Sequence, residues 1–488
     1  MDKPNYDWWI ANAHNDSAFL FLVEHPKEFE QAIRLRLEQV GRGSDQGVIN
    51  QAKWRAIHEQ DRFGSLTSIC EAIQPVSSPP PSPAYRPLHG DMKTDNHVMK
   101  DENGHFLLFG VSAFWCPWAV KNNIGYLHRM TDWAVRSGMN YVRWFGAHDW
   151  EGGLSPDNTP DYFAVMEHTI TSLASRGLRS QITLFSRHYM VGNRDEEYIG
   201  QWADIINRHK DKVCLVEIAN EWNHLDNGWS DSEIRNLGAM FHEQCSVPLA
   251  LSGAAGETWE DKEHRTSELY NDTPADAVTC HYARKDNTHE GPWRWVRQPW
   301  HSRHGIKDCP SFVVDNEHQR WDKSNGGRII EVATSAPVVA YIAGCGMTAH
   351  HDTYGVRNNR GEYAQDSNAD ALQKVFSSVM PMLPSDLSNW TATRVGDGGG
   401  PHPFPSLIHQ HWSFEGSLDH GVSRAFAAVN QDKFVMALTG VRNHVTLNEQ
   451  HHRVFNVVSL RDGEIVYSGN GPVRLNESDG LAFAVITE

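Results

Sequence analysis

The sequence is short of positive charge, of cysteine and of long hydrophobic runs. Its 44 lysines and arginines stand against 61 aspartates and glutamates, a formal net charge of −17. That balance disfavours nucleic acid or an anionic membrane surface as a partner and fits a neutral or cationic substrate better. Seven cysteines occur in 488 residues: Cys70, Cys116, Cys214, Cys245, Cys280, Cys309 and Cys345. Their number is odd and none has metal-type pair spacing, so most are expected as buried small residues, with at most one disulfide. No window approaches about 18 uninterrupted apolar residues, the length a membrane-crossing helix needs. The start, Met1 to Asp7, lacks the basic residues and apolar stretch of an export signal. A soluble chain, cytoplasmic as synthesised, is therefore expected, with release or carriage on a virus particle as routes to an extracellular substrate. No metal or cofactor is expected, and the oligomeric state is left open.

What is present changes character along the chain. Phe29, Ile33, Leu37 and Val40 recur at helical spacing before Gly41, so residues 1–75 read as a small helical domain. The stretch Val76 to Pro83, with four prolines, cannot continue a helix and marks a linker over 76–90. From residue 91 to 385, apolar strands alternate with amphipathic helices, the pattern of βα units and a parallel sheet. Eight strands can be counted: Phe106 to Ser112, Asn140 to Phe145, Arg179 to Phe185, Val213 to Ala219, Pro248 to Ser252, Ala277 to His281, Ser311 to Asn316 and Gly346 to His350. Their span of about 240 residues suits one (β/α)8 TIM barrel. Residues 386–488 alternate as short strands, with Arg461-Asp462-Gly463 as a hairpin turn, and read as a C-terminal β-sandwich.

Two of the barrel strands end in carboxylates. Val213 to Ala219 runs into Asn220-Glu221-Trp222, and 96 residues later Ser311 to Val314 runs into Asp315-Asn316-Glu317. The interval fits strands four and seven, whose C-terminal tips are where barrel enzymes carry their chemistry. Together the two sites resemble those of clan A glycoside hydrolases, retaining (β/α)8 enzymes that cleave β-linked sugars. The resemblance implies Glu221 as acid/base, Glu317 as nucleophile, and Asn220 as a hydrogen-bond partner of the sugar 2-hydroxyl. Strand alternation puts Val313, Asp315 and Glu317 on one side, so Asp315 competes with Glu317 as nucleophile.

The same resemblance places further residues. Arg143, near the end of strand two, would steady the ionised nucleophile. His281 and Tyr282 close strand six, where the clan keeps a side chain for the nucleophile or the sugar. Trp115, Trp144 and Trp222 lie at or just beyond strand ends, where flat aromatic faces bind sugar rings, while Trp133 and Trp202 sit on helix faces as core residues. His350 ends strand eight, where many relatives carry a tryptophan. Two other readings stand beside this one. His281, His350 and His351 could serve a metal-dependent amidohydrolase-type barrel, although Gly110 to Trp115 lacks the His-x-His pair such enzymes have on strand one. A non-catalytic carbohydrate-binding barrel is the third. The composition break at the prolines carries its own test: a chain beginning near Tyr85 should fold and keep its activity on a small aryl glycoside. A folded, inactive product would put residues 1–75 in the active site.

Overall fold

The computed structural model describes Glu30, Ile33, Arg34, Arg36 and Leu37, and most of residues 87–487 apart from shorter segments, of which 282–295, 297–305, 318–328, 352–368 and 396–411 are the longest. For Glu317 and for Ala349 to His351 the backbone alone is described. The chain divides into two compact units, Met1–Pro83 and Ala84–Glu488. In the first, the described residues are helical, and Ile33 and Leu37, four apart on one face, are buried. Phe29, Val40 and Gly41, and the prolines at 79–83, lie outside the described residues.

The second unit opens with a three-stranded antiparallel sheet, β1 (Lys93–Asp95), β2 (Val98–Asp101) and β3 (Gly104–Phe106). Each is only three or four residues long, too short to show a period, and Phe106, expected to open the first barrel strand, instead ends β3. The barrel strands follow: β4 (Phe109–Ser112), β5 (Tyr141–Ala147), β6 (Arg179–Phe185), β7 (Val213–Ala219), β8 (Leu249–Ala250), β9 (Ala277–His281), β10 (Phe312–Glu317) and β11 (Gly346–His351). Every paired neighbour is parallel, and β11 pairs with β4. The seam between β8 and β9 is joined by Asp276, whose N–H donates to the Leu249 carbonyl (2.8 Å) while its side chain accepts from the Leu249 N–H (3.0 Å). This is the expected (β/α)8 barrel. Met92, Met99 and Phe106 pack with Leu108, Tyr141, Leu215, Phe312 and Val314 in one interior cluster, so the small sheet plugs the N-terminal mouth of the barrel.

Helices α1 (Cys116–Asn122), α2 (Ile124–Arg136), α3 (Tyr162–Ala174), α4 (Asp195–Arg208), α5 (Asp231–Gln244), α6 (Trp259–Tyr270), α7 (Ile329–Ala343) and α8 (Ala369–Val379) cover the outside. Their sequences show why they form. α4 has Asp195, Glu196 and Glu197 in its first turn and Arg208 in its last, charges that complement the helix dipole. α5 begins with a capping box between Ser230 and Glu233. Trp133 on α2 and Trp202 on α4 are core residues, as their helical positions imply.

After the barrel come two antiparallel sheets. Six strands form the first: β12 (Thr391–Val395), β14 (Ala425–Asn430), β15 (Lys433–Thr439), β20 (Ala482–Thr487), β17 (Phe455–Ser459) and β18 (Ile465–Gly469), in that order. β13 (Trp412–Leu418), β16 (Val441–Glu449) and β19 (Val473–Asn476) form the second. Phe434, Met436, Phe483 and Val485 point into the sandwich, whereas Val435, Ala437, Ala484 and Ile486 join the core of the barrel helices. The central strands β14, β15, β20 and β17 are thus buried on both faces, which explains their nearly unbroken apolar sequences, while the edge strand β18 is largely exposed. α7, caught between barrel and sheet, is correspondingly apolar over most of its surface, with Glu331, Thr334 and Ser335 its buried polar residues.

The β17–β18 turn locks the two layers. Arg461 Nε donates to Glu331 Oε1 on α7 (2.6 Å), and Ser378 Oγ on α8 donates to the Gly463 carbonyl (2.7 Å). Gly463 has φ +75°, and a β-carbon there would lie 3.0 Å from Ser378 Cβ and 3.1 Å from the Lys374 carbonyl oxygen. Gly463→Ala should therefore destabilise the fold by roughly 1–3 kcal/mol, read as a lower urea midpoint. An unchanged midpoint would mean the turn is not a clamp.

Candidate active site

The site is built upward from β7. Val216 and Ile218 enter the outer, helix-facing core, and Leu215 the inner one, so the two-residue period of the strand aims Glu217 into the barrel. A carboxylate buried there is tolerable only if paired and hydrogen-bonded. Both conditions are met. Arg143 Nη2 on β5 donates to Glu217 Oε2 (3.0 Å), and both side chains are fully buried. Thr183 Oγ1 on β6 donates to the same oxygen (2.6 Å), and Asn316 Nδ2 on β10 donates to Oε1 (2.7 Å). Burial, the largest single influence, pushes this carboxyl's pKa up, but Arg143, His281, Thr183 and Thr279 together outweigh it and hold it below the ordinary value. Glu217 is an anion at working pH.

Arg143 Nη2 also donates to Asn220 Oδ1 (2.8 Å), so the same guanidinium fixes the side chain at the tip of β7. The next residue, Glu221, leaves the strand with φ +44°, left-handed backbone that costs a non-glycine residue about 1–3 kcal/mol. Its carboxyl is a quarter exposed, and Oε1 stands 3.1 Å from Nδ1 of the buried His281 at the end of β9. Gly253 makes room for that ring, since a β-carbon there would lie 2.4 Å from His281 Cδ2. The His281 backbone carbonyl accepts from Lys262 Nζ (2.8 Å) on α6.

β10 brings the second carboxylates. Phe312 and Val314 lie in the inner cluster and Val313 in the outer one. The register then shifts between Asp315, opposite Cys280, and Glu317, opposite His281, leaving Asn316 as the extra residue. Such a bulge re-aims side chains and breaks the alternation that put Val313, Asp315 and Glu317 on one side. Asp315 is fully buried. Burial foremost raises the Tyr141 phenol well above its ordinary pKa, and neighbouring Asp315 adds to the effect. The Glu317 side chain lies outside the described residues, but the Asn316–Glu217 bond carries strand seven across to strand four immediately before it.

The aromatic expectations are corrected. Trp115 and Trp144 are fully buried and Trp222 is 2% exposed, so none offers a face to a sugar. Trp144 packs on Trp202 of α4 at 6.0 Å between ring centroids, on the helix side of the sheet. Trp222 Nε1 donates to Asp231 Oδ1 (2.6 Å), tying the loop after β7 to the start of α5. Tyr282 and the His350 side chain lie outside the described residues. Among the described residues no three His, Cys, Asp or Glu side chains are grouped to hold a metal, and the six described cysteines are free.

Sequence reasoning missed Glu217, concealed inside an apolar run, and its partners Thr183 and Asn316. It also missed His148, which follows β5 and packs edge-on to Phe114 (5.3 Å) and Phe145 (6.0 Å). Burial pushes this imidazole down to about 3, so it is neutral.

No family model and no curated protein matches the chain. Solved structures do. A provisionally assigned glycoside hydrolase from Bacteroides vulgatus aligns at 13% identity with a TM-score of 0.52, over 82% of this chain and 83% of its own. A GH30 endoxylanase from Clostridium papyrosolvens aligns at 10% identity with a TM-score of 0.47, over 82% of this chain and 97% of its own. The first of these likenesses is one of fold, and the fold is that of a (β/α)8 barrel followed by a β-sandwich.

Because the folded state holds Glu217 below its unfolded pKa, its stabilisation is present above the ordinary carboxylate range and is lost as pH falls through the depressed value. Glu217→Gln should cost about 3–5 kcal/mol at neutral pH, through the uncompensated Arg143, and flatten the acid limb of a urea-stability profile. A variant with the wild-type acid limb would show that Glu217 is not the buried anion.

Proposed function

We propose that the chain is a glycoside hydrolase that cleaves a β-linked oligo- or polysaccharide by double displacement, with Glu221 as acid/base and Glu317 as nucleophile. The observation that carries this reading is Glu221 itself: a carboxyl at the tip of strand four, in strained backbone, partly open to solvent and held against His281. Strained backbone at a strand tip is the kind of outlier from which function is inferred. The barrel fold shared with the Bacteroides vulgatus protein supports the class. Asp315 is sealed from solvent, which favours Glu317 over it as the group that meets substrate.

In this reading Asn220, oriented by Arg143, meets the sugar 2-hydroxyl. Glu221 begins protonated, gives its proton to the departing oxygen, and then takes one from water as the glycosyl-enzyme on Glu317 is hydrolysed. Arg143 also holds Asn220 and Glu217, beside the role expected of it toward the nucleophile. The net charge of −17 suits a neutral or cationic sugar chain.

Glu221→Ala should lose about 10²–10⁴-fold on substrates with poor leaving groups while keeping much of its rate on activated aryl glycosides. Glu317→Ala should lose both, and azide should restore part of the rate in each. The first-formed product should keep its anomeric configuration by NMR, since carboxyls about 5–5.5 Å apart exclude an intervening water. An inverted first product, or an active Glu317→Ala beside a dead Asp315→Asn, would overturn the assignment. Product masses from a polysaccharide panel would name the substrate.

A further inference from the structure

The loop that follows β7 is organised around one side chain. Asn227 Nδ2 donates to the Asn220 carbonyl (2.9 Å) and to the Glu221 carbonyl (2.8 Å), one proton to each. The Glu221 carbonyl accepts a second bond from the His224 N–H (2.8 Å), and the Asn227 N–H donates to the His224 carbonyl (2.9 Å). On its other side the Asn227 carbonyl accepts from the His188 N–H (2.9 Å), in the loop that follows β6. Asn227 is 7% exposed, so these bonds form where water competes poorly. The residue they converge on, Glu221, is the one whose backbone is left-handed.

We propose that Asn227 is a positioning residue that holds Glu221 in its left-handed conformation and so keeps its carboxyl against His281. The proposal rests on the reading of Glu221 as acid/base. Turning the peptides on either side of Glu221 would swing its Cβ and carry the carboxyl away from Nδ1 of His281. The two carbonyls that must rotate are the two that Asn227 grips. The rest of the loop has separate anchors: Asn223 Nδ2 donates to the Ala255 carbonyl (2.8 Å), Asn223 Oδ1 accepts from the Ala255 N–H (2.7 Å), and Trp222 is tied to Asp231. Loss of the Asn227 side chain therefore removes the bond to the Asn220 carbonyl and leaves the Glu221 carbonyl with the His224 N–H alone, loosening Glu221 while the rest of the loop stays anchored.

The test compares the full chain with Asn227→Ala and Asn223→Ala, the second removing a clamp of equal size from the same loop without touching Glu221. Asn227→Ala should lower kcat about 10–100-fold on aryl glycosides with poor leaving groups, a part of what general-acid catalysis supplies, with little change on activated ones or in KM. Asn223→Ala should not separate the two substrate types. A second readout needs no turnover: with ¹³C-labelled histidine, the His281 ring resonance, assigned through His281→Gln, should move in Asn227→Ala toward its position in Glu221→Gln. Asn227→Asp, which keeps the shape and removes both donors, should give the same results and serves if the alanine variant is not recovered folded. An unmoved His281 resonance, or equal leaving-group dependence in the Asn227 and Asn223 variants, overturns the proposal. If the wild type turns over no glycoside, the proposed function fails, and the His281 resonance alone decides whether Asn227 holds Glu221.

Discussion

The Glu217–Arg143 ion pair is the constraint on which the barrel's upper half depends. Two buried charges at 3.0 Å are costly to desolvate, and their mutual attraction repays that cost only with further hydrogen bonds in good geometry. Those bonds come from Thr183 on β6 and Asn316 on β10, while the guanidinium reaches forward to Asn220. Four strands are therefore held in one registration by a single carboxylate. Asn220, held by Arg143, and Asn316, held by Glu217, each immediately precede a glutamate proposed for the chemistry.

Burial elsewhere follows a different logic. The central strands of the larger sheet and most of α7 are apolar because each is covered twice, the strands by the partner sheet and by the barrel helices, α7 by the barrel and by the sheet. The polar contacts at this junction, Arg461 to Glu331 and Ser378 to Gly463, lie at the β17–β18 turn rather than in the middle. They fix the orientation of a contact whose driving force is apolar area removed from water.

Most of the barrel was legible because parallel strands buried on both faces read as short apolar runs, and Arg179–Phe185, Val213–Ala219 and Ala277–His281 form strands with the bounds their composition implies. What was illegible depended on distance or on phase. Glu217 sits in an apolar run, and its partners stand 34, 74 and 99 residues away, so no local pattern marks it. The bulge at Asn316 changes the phase of β10 without leaving a trace in residue types. Tryptophans near strand tips looked like sugar platforms because position along a strand fixes depth but not the face; Trp144 faces the helices, and Trp222 turns to α5.

The strain at Glu221 answers a problem that strand periodicity creates. Glu217 and Glu221 are four apart, so continued pleating would send both carboxyls to the same side of the sheet, one above the other, into the barrel. Glu217 is a sealed anion there, and in the proposed mechanism the other carboxyl meets substrate. Leaving the strand in left-handed backbone separates the two tasks, giving Glu221 a partly exposed carboxyl against His281 while Glu217 stays with Arg143. Asp272 and Gln431, the other described non-glycine residues with positive φ, fall in turns after α6 and between β14 and β15, where a reversal of chain direction accounts for them. At Glu221, the first residue of the turn closed by the His224 N–H, the left-handed backbone is also what brings the carboxyl to His281.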